Sequence, residues 1–88
     1  MHFQFDPRKG VSNLKKHGVS FADTEGVFFD PLAIHQADSS TEGEERFVAI
    51  GMGSAGQILV VVYTLRGDDI RLISARRATR REVKTYET

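Results

Sequence analysis

Half of the lysine and arginine side chains of this chain, six of twelve, lie in one segment, Arg71–Tyr86. That segment holds a single acid, Glu82, although the 88-residue chain is formally neutral. A concentrated cationic face on a neutral protein indicates a polyanionic partner. Arg80 and Arg81 fall in the first turn of a predicted helix, where the helix dipole disfavours a cation by about 0.3–1 kcal/mol. With two more arginines just upstream, a bound phosphate would relieve this repulsion by accepting backbone and guanidinium hydrogen bonds.

The chain carries the residue types that RNA cleavage without a metal ion requires. Such cleavage needs a base for the ribose 2′-hydroxyl, cations over the negative charge that develops at phosphorus, and an acid for the leaving oxygen. An aromatic ring can also stack a splayed base. The residues that could fill these roles are Lys16, His17, Arg46, Tyr63, Arg66, Arg71, Arg76, Arg77, Glu82 and Tyr86.

Most of these residues also have an ordinary structural explanation. Lys16 and His17 would stabilise the C-terminus of a helix through its dipole. Glu82 has capping-box spacing from Thr79, and Tyr86 could anchor the last helix to the core. The arginines could be solvated or could pair with acids elsewhere in the chain. Both explanations stay open at the level of the sequence.

Composition and charge pattern restrict the class of protein. The length predicts one domain over residues 1–88, and 40% hydrophobic content predicts a globular fold. With no cysteine and no metal-ligand spacing among the three histidines, we expect no metal ion and no cofactor. No signal peptide and no membrane span is recognisable, which predicts a cytoplasmic protein. Seven acids lie in Asp23–Glu45 and seven bases in Arg66–Lys84, which indicates either two surfaces with different partners or surface salt bridges between the two groups.

The order of elements predicts an α+β fold, with helices first, then an antiparallel sheet, then one helix. The first predicted helix runs from Pro7 to about Lys16, the second runs from Ser20 to about Phe28, and the third begins near Thr79. The predicted strands are Phe3–Phe5, Leu32–Gln36, Arg46–Gly51, Ile58–Leu65 and Ile70–Arg76. A polar loop is predicted at Ala37–Gly43.

Local signals support several of these boundaries. Asp6 and Pro7 are typical of a helix start, and Gly18 of a helix end. Ser20 and Asp23 have the spacing of a capping box. Both alternating residue sets of the strand after residue 57 are apolar, which predicts a central strand covered on both faces. The glycines of GMGSAG lie between two predicted strands, which favours a hairpin loop over a dinucleotide site.

Five stretches together resemble the BrnT toxins of type II toxin–antitoxin systems. They are FDPRK…NLKKHGVSF, FFDPLA, EERFVAIG, LVVVYT and IRLISARRATRRE…Y. The similarity covers nearly the whole chain, and the block Ile70–Glu82 is its most specific part. Phe5 stands where a tryptophan is frequent in the family.

The resemblance implies a RelE-like α+β fold, with N-terminal helices packed on an antiparallel β-sheet and a C-terminal helix. It also implies a metal-independent endoribonuclease that cleaves RNA and arrests translation. The implied partner is a BrnA-like ribbon–helix–helix antitoxin, through which the complex binds operator DNA, and a toxin dimer within that complex is compatible with the resemblance.

The family motifs match this chain at Lys16, His17, Gly18, Arg46, Ser74, Arg76, Glu82 and Tyr86. We therefore expect catalytic roles for Arg76, Glu82, Tyr86, Arg46, His17 and Lys16, and RNA contacts from Arg71, Arg77, Arg80, Arg81 and Tyr63. Two other hypotheses stay open. The chain could be a nucleic-acid-binding or protein-interaction module without hydrolytic activity, or an inactive toxin that survives as a repressor subunit.

Overall fold

A computed structural model describes residues 1–38 and 43–88 of the chain. Its elements are β1 (Phe3–Gln4), α1 (Pro7–His17), a 3₁₀ helix (Phe21–Thr24), α2 (Glu25–Phe29), β2 (Ile34–Asp38), β3 (Arg46–Met52), β4 (Ile58–Arg66), β5 (Asp69–Arg77) and α3 (Arg80–Glu87). The strands form one sheet in the order β1-β5-β4-β3-β2. The predicted α+β class is confirmed.

The sheet is mixed, so the prediction of a purely antiparallel sheet is wrong at one edge. β1 runs parallel to β5, with Phe3 beside Ile70 and Gln4 beside Arg71. The three pairings of β2 with β3, β3 with β4 and β4 with β5 are antiparallel. Parallel pairing is possible for β1 because most of the chain lies between it and β5, so no hairpin sets their relative direction.

The start of the chain folds as its local signals predict. The Asp6 carboxylate accepts a hydrogen bond from the Arg8 N–H at 2.9 Å, which caps α1 at its N-terminus. Gly18 ends the helix with a φ of 70°, a conformation that favours glycine, and its N–H donates to the Leu14 carbonyl. Both helix boundaries therefore lie within a residue of their predicted positions.

The second predicted helix is divided into the 3₁₀ helix and the short α2. Ser20 caps the 3₁₀ helix by accepting from the Ala22 N–H, whereas the Asp23 N–H donates to the Ser20 backbone carbonyl. The predicted capping box between Ser20 and Asp23 is therefore wrong, because the tighter i→i+3 bonding of a 3₁₀ turn occupies the Asp23 N–H.

β2 starts two residues later than predicted. The Asp30 side chain accepts from the Leu32 N–H at 2.9 Å, and the Asp30 carbonyl accepts from the Ala33 N–H. This turn delays the strand, which then includes Ala37 and Asp38, two residues predicted to be in a loop. The rest of that predicted loop, except Gly43, lies outside the described residues.

The core lies between one face of the sheet and the helices that follow β1. Leu59, Val61 and Leu72 are fully buried there with Val19 and Val27. On the other face of the central strand β4, Val60 is only 4% exposed. Ile58 and Val62 on that face are only half-buried, so the prediction that this strand is covered on both faces is confirmed at Val60 and not along the whole strand.

The loop between β3 and β4 is the predicted hairpin. The Gly53 N–H donates to the Gln57 carbonyl, and the Gly56 N–H donates to the Gly53 carbonyl. α2 packs directly on this loop, since a Cβ added at Gly26 would lie 2.5 Å from the Ser54 nitrogen. None of the helices within residues 1–38 and 43–88 has the length and apolarity that crossing a bilayer requires.

Candidate functional site

Arg76, near the end of β5, forms a two-pronged ion pair with Glu82 in the first turn of α3. Arg76 Nη1 donates to Glu82 Oε1 at 2.7 Å, and Nη2 donates to Oε2 at 2.8 Å. The predicted capping box is confirmed, because the Thr79 N–H donates to Glu82 Oε1 and Thr79 Oγ1 accepts from the Glu82 N–H. One carboxylate thus fixes both the guanidinium and the start of the helix.

This arrangement changes the ionisation of both partners. The hydrogen bonds from Arg76 lower the pKa of Glu82 to about 2, and the same bonds raise the pKa of Arg76. Glu82 is therefore a carboxylate at neutral pH, and both of its oxygens already accept hydrogen bonds. A general base needs a pKa near the operating pH, so Glu82 is poorly suited to take a proton from a ribose hydroxyl.

The guanidinium of Arg76 keeps donors free for a ligand. A guanidinium has five N–H donors, of which Glu82 takes two, and a longer contact of 3.3 Å joins Nη1 to the Arg77 carbonyl. The Arg76 side chain is 43% exposed. Because Glu82 holds its orientation, Arg76 is a preorganised cation that faces solvent.

A β-bulge places Arg71 and Arg76 of β5 on the same face of the sheet. Residues opposite each other in the ladder are Thr64 and Arg71, Val62 and Ser74, and Val60 and Arg76, with a register shift at Val62/Tyr63. Because alternate residues of β4 share a face, their partners share that face too. Without the extra residue in β5, Arg71 and Ser74 would lie on opposite faces. We call the set Arg71, Ser74 and Arg76 the arginine face.

The other arginines of the segment surround this face only in part. Arg77 follows Arg76 in the strand, so its side chain leaves on the opposite face of the sheet. Arg80 and Arg81 are exposed in the first turn of α3. Among the side-chain contacts of the described residues, it is Arg76 of these four arginines that has its guanidinium held by a carboxylate.

A polar cleft runs between α1 and β5. Its lining residues are Lys9, Ser12, Asn13, Lys16, His17, Ile73 and Ser74, and we call it the α1–β5 cleft. Ser74 belongs to both the cleft and the arginine face. Lys16 and His17, at the C-terminal end of α1, are thereby brought next to the strand that carries Arg76.

Asn13 joins α1 to β5 at the floor of this cleft. It is 6% exposed, its Nδ2 donates to the carbonyls of Val19 and Ala75, and its Oδ1 accepts from the Ala75 N–H at 3.0 Å. Beyond the end of β1, the Asn13 amide thus supplies hydrogen bonds to the β5 backbone that a neighbouring strand would otherwise make. Sequence reasoning missed this residue, since an Asn in a helix gives no sign of a partner 62 residues away.

Tyr86 is bound to Asp30 rather than directed at the arginine face. Its hydroxyl donates to Asp30 Oδ2 at 2.6 Å, and the same oxygen accepts from the Met52 N–H at 2.9 Å. The hydrogen bond from Tyr86 lowers the pKa of Asp30, and it raises the pKa of Tyr86. This geometry supports the explanation that Tyr86 anchors α3, with Asp30 as the attachment point instead of the core.

Two predicted site residues lie away from Arg76. Arg46 begins β3 opposite Asp38, at the end of the sheet where Arg71 lies. Arg71 and Arg76 are five residues apart in β5, so about 16 Å along the strand separates this end of the sheet from Arg76. Tyr63 is 6% exposed and is packed against Phe28 and Phe47. Its ring has no free face for a base, and burial raises its pKa. The structure therefore places Tyr63 in the core, where its ring is not available to stack on a base.

The fold and this site define a class: a small α+β domain that presents a fixed guanidinium and a second arginine on one face of an edge-proximal strand. The family model described as "Ribonuclease toxin, BrnT, of type II toxin-antitoxin system" matches residues 5–82. The chain therefore belongs to the BrnT family.

A solved structure agrees with this assignment. The crystal structure of the Brucella abortus ribonuclease toxin BrnT superposes on the chain with a TM-score of 0.69 and 28% sequence identity. The match covers 91% of this chain and 99% of the Brucella chain, so the two folds correspond over almost their full lengths. Comparison with curated proteins gives no match.

Proposed function

We propose that this chain is a metal-independent endoribonuclease toxin with a RelE-like fold, whose cleavage of cytoplasmic RNA inhibits translation. The observation that carries the proposal is the Arg76–Glu82 pair, which fixes an exposed guanidinium on the same face as Ser74. Membership of the BrnT family supports RNA as the substrate. A fixed cation of this kind stabilises the charge that develops at phosphorus without reorganising during the reaction.

In the proposed reaction the ribose 2′-oxygen forms a bond to phosphorus while the bond from phosphorus to the 5′-oxygen breaks. The products are a 2′,3′-cyclic phosphate and a free 5′-hydroxyl. Arg76 stabilises the transition state. His17 is the favoured group for taking the 2′-hydroxyl proton, since histidine is suited to proton transfer near neutral pH and Glu82 is held by Arg76. Lys16, beside His17 in the cleft, can protonate or neutralise the leaving oxygen.

The remaining cations bind the RNA backbone in this proposal. Arg71, Arg80 and Arg81 are placed along β5 and at the start of α3, where they can contact phosphates on either side of the cleaved bond. Such contacts add affinity that depends on salt and carries no sequence preference. Arg77 contributes from the opposite face of the strand end.

The proposed partner is a BrnA-like ribbon–helix–helix antitoxin, since the family belongs to type II toxin–antitoxin systems. Through that antitoxin the complex would bind operator DNA, with one or two toxin copies. Co-purification of the toxin with the product of the adjoining reading frame tests this partner. Growth arrest that the second protein does not relieve would contradict it.

The activity is tested by incubating the purified chain with a single-stranded RNA in EDTA. We expect fragments that end in a cyclic phosphate, and we expect Arg76→Ala to slow their formation by about 10²–10³-fold. Lys84→Ala is the matched control, because Lys84 is an exposed cation of α3 outside the proposed site. RNA that is shifted in a gel but stays intact would identify the chain as a binding module instead of an enzyme.

A further inference from the structure

The α1–β5 cleft has a cationic wall of which the proposed chemistry uses only Lys16. Lys9, Ser12 and Lys16 are spaced three and four residues apart, so they share one face of α1. That face is turned towards β5, because Asn13 on the same face is bonded to Ala75. Along the helix axis Lys9 and Lys16 are about 10 Å apart. The cleft is therefore an elongated slot with a lysine near each end.

The charge of this wall is only partly balanced within the described residues, since the Asp6 carboxylate that caps α1 attracts Lys9 without forming an ion pair with it. The ion pairs found there do not include Lys9 or Lys16. The lining residues of the cleft include no acid. The helix dipole explains Lys16 at the C-terminal end of α1, but it disfavours Lys9, which lies in a first turn without any acidic residue. The Asp6 carboxylate offsets part of this cost for Lys9, and an anionic ligand in the cleft would interact with both lysines.

The slot is also rigid and connected to the arginine face. Asn13 fixes its floor through three hydrogen bonds, and Ser74 belongs to both the cleft lining and the arginine face. Ser74 and Arg76 are two strand residues apart, about 6.5 Å. The cleft volume of ≈ 210 Å³ is several times the about 30 Å³ that one water occupies in the liquid. A phosphate with its hydration therefore fits, and one RNA strand can reach both places.

We infer that the α1–β5 cleft binds a backbone phosphate of the RNA next to the phosphate at Arg76, with Lys9 and the Ser12 hydroxyl as binding residues. The inference rests on the proposed function for the identity of the ligand as RNA. It adds two residues to the site, and it sets the direction of the RNA along β5 towards α1.

The test measures binding of a 2′-O-methyl RNA, which cannot be cleaved, by fluorescence anisotropy over a series of salt concentrations. Lys9→Ala should weaken binding several-fold and should reduce the slope of log affinity against log salt by about 0.7, the value for one phosphate contact on a single strand. Lys15→Ala is the matched control, because Lys15 is an exposed lysine of the same helix outside the cleft lining. Its slope should equal that of the unmodified chain.

Three results would overturn the inference. Equal losses in Lys9→Ala and Lys15→Ala would mean that α1 attracts RNA as a diffuse basic surface. Unchanged binding in both variants would mean that RNA does not reach the cleft. If Lys9→Ala leaves the affinity for RNA unchanged but changes how strongly inorganic phosphate competes with RNA binding, the cleft is a site for free phosphate.

This experiment distinguishes a failure of the cleft assignment from a failure of the proposed nuclease activity. If the unmodified chain binds the RNA through Lys9 but leaves a cleavable RNA intact, the proposed nuclease activity fails and the cleft assignment stands. If the chain cleaves RNA and Lys9→Ala binds normally, only the cleft assignment fails. A Ser12→Ala variant, expected to weaken binding less than Lys9→Ala, keeps the assignment testable should the lysine variant fold poorly.

Discussion

Arg76 and Glu82 hold each other through two parallel hydrogen bonds of 2.7 and 2.8 Å, across the turn that joins β5 to α3. The same carboxylate accepts the Thr79 N–H, so the ion pair and the helix cap share one side chain. The guanidinium that we assign to the transition state is therefore positioned by the start of a helix.

The first prediction concerns stability at acidic pH. The pKa of Glu82 is lowered from 4.5 to about 2 in the folded chain, so the pair stabilises the fold fully above the unfolded value. That stabilisation is lost as the pH falls from about 4.5 through about 2. Urea unfolding at a series of pH values should show this loss. Glu82→Gln should lower the free energy of unfolding at neutral pH by roughly 1–2 kcal/mol, a value reduced to allow for solvent screening at the exposed Arg76. The free energy of unfolding of this variant should also fall less steeply as the pH decreases.

The control for this measurement is Glu87→Gln, which changes an exposed carboxylate at the other end of α3. Its unfolding free energy should follow that of the unmodified chain at every pH. Asp30 and Asp6 also have lowered pKa values, so both curves keep some acid dependence. An acid limb in Glu82→Gln as steep as in the unmodified chain would contradict the assignment.

The second prediction separates Arg76 as a catalytic group from Glu82 as a positioning group. Arg76→Ala should lower kcat/KM for RNA cleavage by about 10²–10³-fold, the loss typical of one transition-state donor. Arg76→Lys should not restore it, because an ammonium cannot bind both Glu82 oxygens in a fork and also face the phosphate.

Glu82→Gln should reduce kcat by a smaller factor and leave the pH–rate profile in its original position. A general base must be deprotonated to act, and a glutamine cannot ionise, so the disappearance of the acidic limb from that profile would show that Glu82 is the general base after all. The pH profile therefore distinguishes the two roles even when both variants are slow.

The sequence could predict the parts of this site that depend on neighbouring residues. The Thr79–Glu82 cap, the ends of α1 and the central position of β4 all follow from spacing and periodicity. The contacts that order the site join residues far apart in the chain, such as Asn13 with Ala75 and Tyr86 with Asp30. A single sequence carries no local signal for such pairs.

The placement of the cations illustrates the same limit. Alternation along a strand alone puts Arg76 and Arg77 on opposite faces, and this could have been seen in the sequence. The bulge that returns Arg71 to the face of Arg76 could not, because it depends on how β5 pairs with β4. The pairing register likewise decided that Arg46 lies at the end of the sheet away from Arg76.

The third prediction concerns Asn13. Asn13→Ala leaves the Ala75 N–H and two carbonyls without their partner in a buried position, where each unsatisfied group costs about 1–3 kcal/mol. Urea unfolding should therefore show a loss on the order of 3 kcal/mol. Ser12→Ala, one residue earlier and exposed, should change stability by no more than about 0.5 kcal/mol. Similar small losses in both variants would show that the Asn13 amide does not hold β5.

The fourth prediction concerns the hydroxyl of Tyr86. Its hydrogen bond to Asp30 raises its pKa above 10.0, because ionisation would remove the donor and place a phenolate beside a carboxylate. The contact therefore stabilises the fold below that pH and is lost as the pH rises through the raised value. Asp30→Asn should move the ionisation of Tyr86 back towards its ordinary pKa, as followed by the tyrosine ring signals in NMR spectra.

Tyr63 provides the control within the same molecule. Its pKa is raised by burial, so Asp30→Asn should leave its ionisation unchanged. Tyr86→Phe should in addition speed amide hydrogen exchange in the last turn of α3 while the first turn, held by Glu82, stays protected. If the two tyrosines shift together in Asp30→Asn, or if exchange rises equally along α3, the hydroxyl does not anchor the helix, and Tyr86 returns as a candidate for contact with RNA.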